Sequence, residues 1–367
     1  KRGNPDTPVL MTGVTGGFLA PPRTRTEPQS GRELNQRRFV ERVFSRAGGS
    51  FDIINFHSYG GAGPLEERLK LMRRLAREHG IGDRPMWITE TGGPTHIGPR
   101  SFTEREQARL YVKTHVLARL YGAEKVFWHC FHDWGRDITY HEHNFGLIHY
   151  EYTPKPALLV QASQARCFGS PVPEREIDVG PGIRCLAFTR DGAPVTVLWA
   201  DGPRTALLET RGTPTLRDLM GNRRPVSRLG DAVALELTED PVFLLGARVV
   251  RNLPPLVSAE PVLTAAGGSG VLELAWSNPL STGLTASVAL EAGAFTLEPE
   301  RFPLDLAPGA EAVRTVRFTA PLSAPPGTQP VTARLRVGDD GLALRAGMLR
   351  VALQLAPVPA GFVPDGD

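Results

Sequence analysis

The strongest constraint on this chain is a rhythm. Four short β-rich runs, Pro8–Gly13, Phe51–His57, Pro85–Glu90 and Glu124–Phe131, begin 43, 34 and 39 residues apart. That spacing leaves room for an amphipathic helix after each strand, the repeat of parallel βα units. The intervening stretches carry helix signals. Leu65, Leu69, Met72 and Ala76 fall on one stripe, and Gly80 follows as a stop. Thr103-Glu-Arg-Glu106 has the form of a capping box, ahead of a helix on which Val112, Val116 and Leu120 share a face before Gly122. Val40, Val43, Phe44 and Ala47 mark another helix, closed by Gly48-Gly49, and one more is expected from Pro156 to Arg166.

Beyond Phe168 the long helices vanish. Pro171-Val-Pro173 and Pro181-Gly182 punctuate a linker, and alternating runs follow at 183–188, 195–199, 233–237 and 242–245, with a turn expected at 220–222. A second break falls at Leu253-Pro-Pro255. After it, strands expected near 271–276, 284–291, 312–318, 330–337 and 342–353 suit a sandwich of immunoglobulin size. The expected class is therefore α/β followed by all-β. The expected divisions are a βα portion over 1–170, a small all-β domain over 171–252, an immunoglobulin-like sandwich over 253–356 and a loose tail over 357–367.

Composition narrows the function classes. Of 367 residues, 41% are hydrophobic and 22% charged, ordinary for a globular protein. The formal net charge is only +3 and no lysine/arginine block occurs, which argues against nucleic acid as a partner. No apolar run approaches the roughly 18 residues of a membrane helix, and no apolar leader follows Lys1. The three cysteines, Cys130, Cys167 and Cys185, are widely spaced and match no zinc or disulfide template. Cys130 is expected in a core strand as a small hydrophobe.

Parallel strands with covering helices can form an open doubly wound sheet or a (β/α)8 barrel. The first usually announces a glycine-rich nucleotide loop, of which Thr12-Gly-Val-Thr-Gly-Gly17 is a faint echo without the acidic residue about 20 positions onward. The barrel places functional groups at the carboxyl ends of its strands. Here each run ends in polar chemistry: Thr12-Gly13, then Asn55, His57 and Tyr59, then Glu90, then His132-Asp133-Trp134.

Phe51-Asp-Ile-Ile-Asn-Phe-His-Ser-Tyr-Gly60 resembles the sixth barrel strand of clan A glycoside hydrolases, with its His-x-Tyr signature. Trp87-Ile-Thr-Glu-Thr-Gly92 resembles the seventh strand of that clan, and Val126-Phe-Trp-His-Cys-Phe-His-Asp-Trp-Gly135 the eighth. Asn144–Ile148 and Thr153-Pro-Lys-Pro-Ala157 resemble the connection into its last helix. The resemblance covers residues 8 to about 168. It implies the C-terminal half of a TIM barrel, strands five to eight, with the N-terminal half-barrel expected upstream.

The resemblance also implies a retaining glycosidase with Glu90 as nucleophile, Tyr59 and His57 beside it, and an oligo- or polysaccharide as substrate. No cofactor or metal is implied. Extracellular or periplasmic action is the expectation for such substrates. A sugar presents CH faces as well as hydroxyls, so Trp128 and Trp134 are candidate platforms, with Asn55, His132 and Asp133 for hydroxyl contacts. Retaining chemistry needs a second carboxyl about 5–5.5 Å from the first. In the clan it follows an asparagine on strand four, and no Asn-Glu pair occurs in this sequence. Glu27 is only superficially similar and is not assigned the role. The chain is thus expected to be a fragment, inactive or severely impaired alone.

Two other classes are open. His129, His132, His141, His143 and His149, with Asp133, Asp137 and Glu142 among them, could form a metal-dependent hydrolase site, although His141-Glu142-His143 is not the helical HExxH pattern. A non-catalytic glycan-binding or scaffold protein is the other. Trp199 and Trp276 sit inside alternating strands and are expected in cores.

Overall fold

A computed structural model describes residues 6–14, 31–338 and 340–351. Glu27 and the 357–367 tail lie outside the described residues. The chain divides into two compact units: Lys1–Pro203, Gly212–Pro225 and Leu237–Val249 form the first, and Arg204–Arg211, Val226–Glu236 and Val250–Asp367 the second.

In the first unit α1 (Gly31–Ala47), β1 (Ile54–Tyr59), α2 (Ala62–Glu78), β2 (Met86–Gly92), α3 (Glu104–Leu120), β3 (Ala123–Trp128) and α4 (Pro156–Cys167) follow in turn. The strands pair in parallel, in the order they occur in the chain. The expected first strand contributes a single parallel bridge, Leu10 to Ile53, tied by the Met11 N–H donating to the Ile53 carbonyl at 2.9 Å. The fourth run also differs from expectation. Pairing stops at Trp128, so Cys130 is half-buried in the following loop, where its Sγ lies 3.0 Å from the His132 carbonyl and burial pushes its thiol up to about 11.

The helix signals act as expected. The Thr103 hydroxyl accepts from the Glu106 N–H at 3.2 Å, while the Glu106 carboxylate accepts from the Thr103 N–H at 2.7 Å, completing the capping box. Gly80 and Gly122 end α2 and α3 at φ 71° and 82°, a region that costs glycine nothing. One face of the sheet buries Ile54, Phe56, Met86 and Ile88 in one core with Leu65, Leu69 and Met72 of α2. A second core joins α3 and α4 to β5 (Ile183–Arg190) and β6 (Ala193–Ala200), which follow the short β4 (Val172–Glu176). Trp199 lies in it, buried as expected. The β5–β6 hairpin turns at Asp191-Gly192, both left-handed, as a tight two-residue connection requires.

Within the second unit, residues 257–351 form a two-sheet sandwich. One sheet orders Val257–Ser258, Ser269–Ser277, Glu311–Thr319 and Thr296–Glu298; the other orders Val262–Thr264, Asp340–Val351, Gly327–Val337, Leu284–Glu291 and Arg301–Leu306. Alternation along these strands sends Leu272, Leu274 and Trp276 inward against Val288, Leu290, Val331 and Leu335. The strand at Arg301–Leu306 was not foreseen; Pro303 and the charged Arg301 and Asp305 interrupt its apolar pattern.

Candidate active site

Strand pleat decides which side chains reach the cleft. On β1, Ile54 and Phe56 are fully buried toward α2, so Asn55, His57 and Tyr59 share the opposite face. Simple alternation on β2 would turn Thr89 to that face and hide Glu90 behind it. The β1–β2 register breaks between Phe56 and His57: Phe56 pairs with Ile88, but His57 pairs with Glu90. This one-residue bulge carries both Thr89 and Glu90 toward the β1 residues of the cleft. The Thr89 hydroxyl donates to Asn55 Oδ1 at 2.7 Å, and Glu90 Oε2 lies 2.5 Å from His57 Nδ1.

Glu90 is about one-third exposed. Its other oxygen lies 3.7 Å from Nδ1 of His129. Burial first, then the charges of Glu90 and Glu142 and a hydrogen bond to Glu90, push the Tyr59 hydroxyl well above its ordinary value. Tyr59 therefore stays a neutral phenol that donates to the Glu90 carboxylate. Among the described residues these two imidazoles lie within 4 Å of Glu90, with no lysine or arginine against it.

Close approach fixes the shell. A side chain at Gly13 would sit 2.4 Å from His57 Nε2, and one at Gly92 would sit 2.4 Å from the His129 carbonyl. Arg68 of α2, buried, donates to the Tyr59 carbonyl at 2.5 Å and to the Ser58 hydroxyl at 2.9 Å, pinning the end of β1. Trp134 is 59% exposed and meets the His129 ring edge to face at 5.0 Å, which leaves most of its indole at the rim.

The other residues singled out in the sequence are engaged differently. Asn55 is buried, donating to the Met11 carbonyl at 3.3 Å while accepting from Thr89. Trp128 turns to the helix side, packed on Tyr111 at 5.1 Å, with its indole N–H directed at the Phe145 carbonyl at 3.4 Å. Asp133 is buried and bound on both oxygens. Lys155, itself fully buried, lies 2.9 Å from Oδ1 and 2.8 Å from Oδ2, and the Gly146 N–H donates to Oδ1 at 2.6 Å. His132 stacks on Tyr152, with Nε2 3.0 Å from the Tyr150 carbonyl. The cleft around Glu90 is thus built without Asn55, Trp128 or Asp133 as free contacts.

Two cleft groups that the sequence offered only for a metal site stand beside Glu90 instead. His129 faces Glu90, and Glu142 lies 3.9 Å from His129 Nε2 and 3.0 Å from His141 Nε2. The signal available was strand parity: if Trp128 packs outward on α3, its neighbour His129 points the other way. The remaining histidines are dispersed. His143 Nδ1 lies 3.3 Å from the Asp137 N–H, and His149 lies 3.2 Å from Glu104. Among the described residues no group of three His, Cys, Asp or Glu is placed to hold a metal ion.

No protein-family model matches this sequence, and no curated protein matches it by sequence. Solved structures do match. The fold is similar to that of a family 39 glycoside hydrolase from the gut symbiont Bacteroides cellulosilyticus WH2, with a TM-score of 0.50 and 23% identity over 57% of this chain and 47% of that one. The chain thus spans about half the length of that structure. Weaker similarity extends to a family 30 endoxylanase from Clostridium papyrosolvens C71 (TM-score 0.39, 12% identity, 58% and 53% covered). A family 39 beta-xylosidase from Caulobacter crescentus is comparable (TM-score 0.38, 14% identity, 66% and 58% covered). The likeness to the family 39 structure supports a similar fold for the part of this chain that it covers.

Proposed function

We propose that the first unit carries the nucleophile side of a retaining glycoside hydrolase, with β1, β2 and β3 as the sixth, seventh and eighth strands of a (β/α)8 barrel. The observation that carries this reading is the setting of Glu90: a strand-end carboxylate, carried to the cleft by a bulge, hydrogen-bonded by Tyr59, with the His57 and His129 rings beside it and no lysine or arginine against it. The fold likeness to a family 39 enzyme supports it. So does the sheet face opposite α2, where Trp87 and the largely exposed Phe127 meet at 6.0 Å, as barrel-interior groups would before the remaining strands close over them.

The chemistry follows from the carboxylate. A Glu90 oxygen attacks the anomeric carbon as the bond to the leaving oxygen breaks, and water later displaces the ester with net retention. Tyr59, held as a neutral donor, steadies the carboxylate as its charge is spent. Protonation of the leaving oxygen requires a second carboxyl. We assign that group to residues outside this sequence, on a strand-four Asn-Glu of the other half-barrel, and keep 171–252 and 253–356 as supporting β-domains. The substrate is an oligo- or polysaccharide.

A leaving group that needs no proton separates the two halves of this proposal. The chain is expected to release dinitrophenolate slowly from a 2,4-dinitrophenyl glycoside, and Glu90→Gln to abolish that release. Rates of ordinary glycosidase size on unactivated alkyl glycosides would contradict the absent acid. Release unaltered in Glu90→Gln would contradict the nucleophile.

A further inference from the structure

Residues 149–153 form a tight turn that presents two tyrosines to solvent. The Ile148–Pro154 bridge closes its base, the His149 N–H donates to the Thr153 carbonyl at 2.8 Å, and the Tyr152 N–H donates to the His149 carbonyl at 2.9 Å. Tyr152 sits at the apex with φ 63°, left-handed backbone that a bulky aromatic residue rarely adopts. Its side chain is nevertheless 76% exposed, so burial does not account for a tyrosine where glycine would be unstrained.

What Tyr152 does touch is His132. The two rings stack at 4.6 Å and 23°, while His132 is held by its contact with the Tyr150 carbonyl and lies 5.7 Å from the Tyr150 ring. Arg136 lies 4.9 Å over the Tyr150 ring and pairs with Glu151 at 2.9 Å, setting a charged donor and acceptor at the edge. Flat rings of fixed orientation, one open face and a polar rim together match a pyranose, which offers CH groups on its face and hydroxyls around its edge. A protein partner would find no apolar depth here, since Arg136, Glu151 and Thr153 surround the rings and are exposed.

We propose that the Tyr150–Tyr152 turn, with His132, is a second carbohydrate platform, which holds a sugar unit of the polysaccharide away from the bond that Glu90 attacks. It rests on the glycosidase reading above. His132 and Trp134 flank Asp133, which Lys155 holds, so one loop would grip the glycan at two places.

Affinity electrophoresis of the full chain through gels containing soluble xylan, mixed-linkage β-glucan, galactomannan or carrageenan tests this. At least one polysaccharide is expected to retard the chain. Tyr152→Gly should weaken that retardation about tenfold, a loss of about 1.4 kcal/mol, whereas Tyr152→Phe should keep it. Because glycine accepts φ 63°, Tyr152→Gly is also expected to melt no lower than the parent. Retardation unchanged in Tyr152→Gly would overturn the platform and leave the Glu90 reading intact. A lower melting temperature in that variant would also overturn it, by making Tyr152 a packing residue. Failure of all four polysaccharides to retard the parent would overturn it as well, whereas dinitrophenolate release judges Glu90 separately.

Discussion

Two carboxylates, Glu90 near the end of β2 and Asp133 in the loop after β3, are treated in opposite ways. Asp133 is buried, with Lys155 against both oxygens and the Gly146 N–H donating to Oδ1. Lys155 also donates to the Thr95 hydroxyl at 3.0 Å, so one ammonium joins the loops after β2 and β3 to the start of α4. Glu90 lies open on one side, with imidazoles and a phenol as neighbours. A buried charge must be neutralised to be tolerated, and a neutralised carboxylate is a poor nucleophile. The contrast separates a group kept for architecture from a group kept available for chemistry.

Removing the architectural cation should have the largest effect on stability. Lys155→Met leaves Asp133 buried and unpaired, and is expected to cost about 3–5 kcal/mol in chemical denaturation. A loss under about 1 kcal/mol would mean that water reaches Asp133 and that the contrast is overdrawn.

Glu66 of α2 extends the comparison to pH. Burial alone would raise its pKa, but hydrogen bonds from Arg184, Lys70 and Tyr121 outweigh it and hold the group at about 2 against 4.5 in an unstructured chain. A lowered folded value means stability that is full above about 4.5 and is lost as pH falls through about 2. Glu66→Gln is therefore expected to cost about 3 kcal/mol at neutral pH, with the difference closing toward pH 2 in melts across that range. A difference that persists at pH 2 would mean the network is held by packing.

The site itself should respond through position more than stability. Gly13→Ala places a methyl against His57 Nε2, so the expected cost is modest, about 1–2 kcal/mol, with His57 displaced from Glu90. Chemical shifts of the His57 ring would report the displacement, and an unmoved ring would show that the strand gives way instead.

Much of this was legible in the sequence. The βα rhythm, the capping box and the glycine stops are local patterns, and the helices and last three strands they imply are present, while the first run, Pro8–Gly13, contributes a single bridge. The shared face of His57 and Tyr59 was legible because a spacing of two on a strand fixes it. The partners of Asp133 were not, since Lys155 is 22 residues away and only the folded loop joins them. The bulge at Phe56/His57 was equally hidden: strict alternation would have turned Glu90 toward the helices. The choice between Trp128 and Trp134 needed the parity of β3, which the apolar run from Val126 to Phe131 does not reveal.

Covalent capture tests the central contrast most directly. The chain is incubated with 2,4-dinitrophenyl 2-deoxy-2-fluoro glycosides of several sugars, whose leaving group needs no acid, and its peptides are mapped by tandem mass spectrometry. One fluoroglycosyl group on Glu90, absent from Glu90→Gln, is the predicted result, with melting of that variant within about 1 kcal/mol of the parent. A label on Asp133 or Glu142 in its place, or release of dinitrophenolate with Glu90 unmodified, would contradict the account.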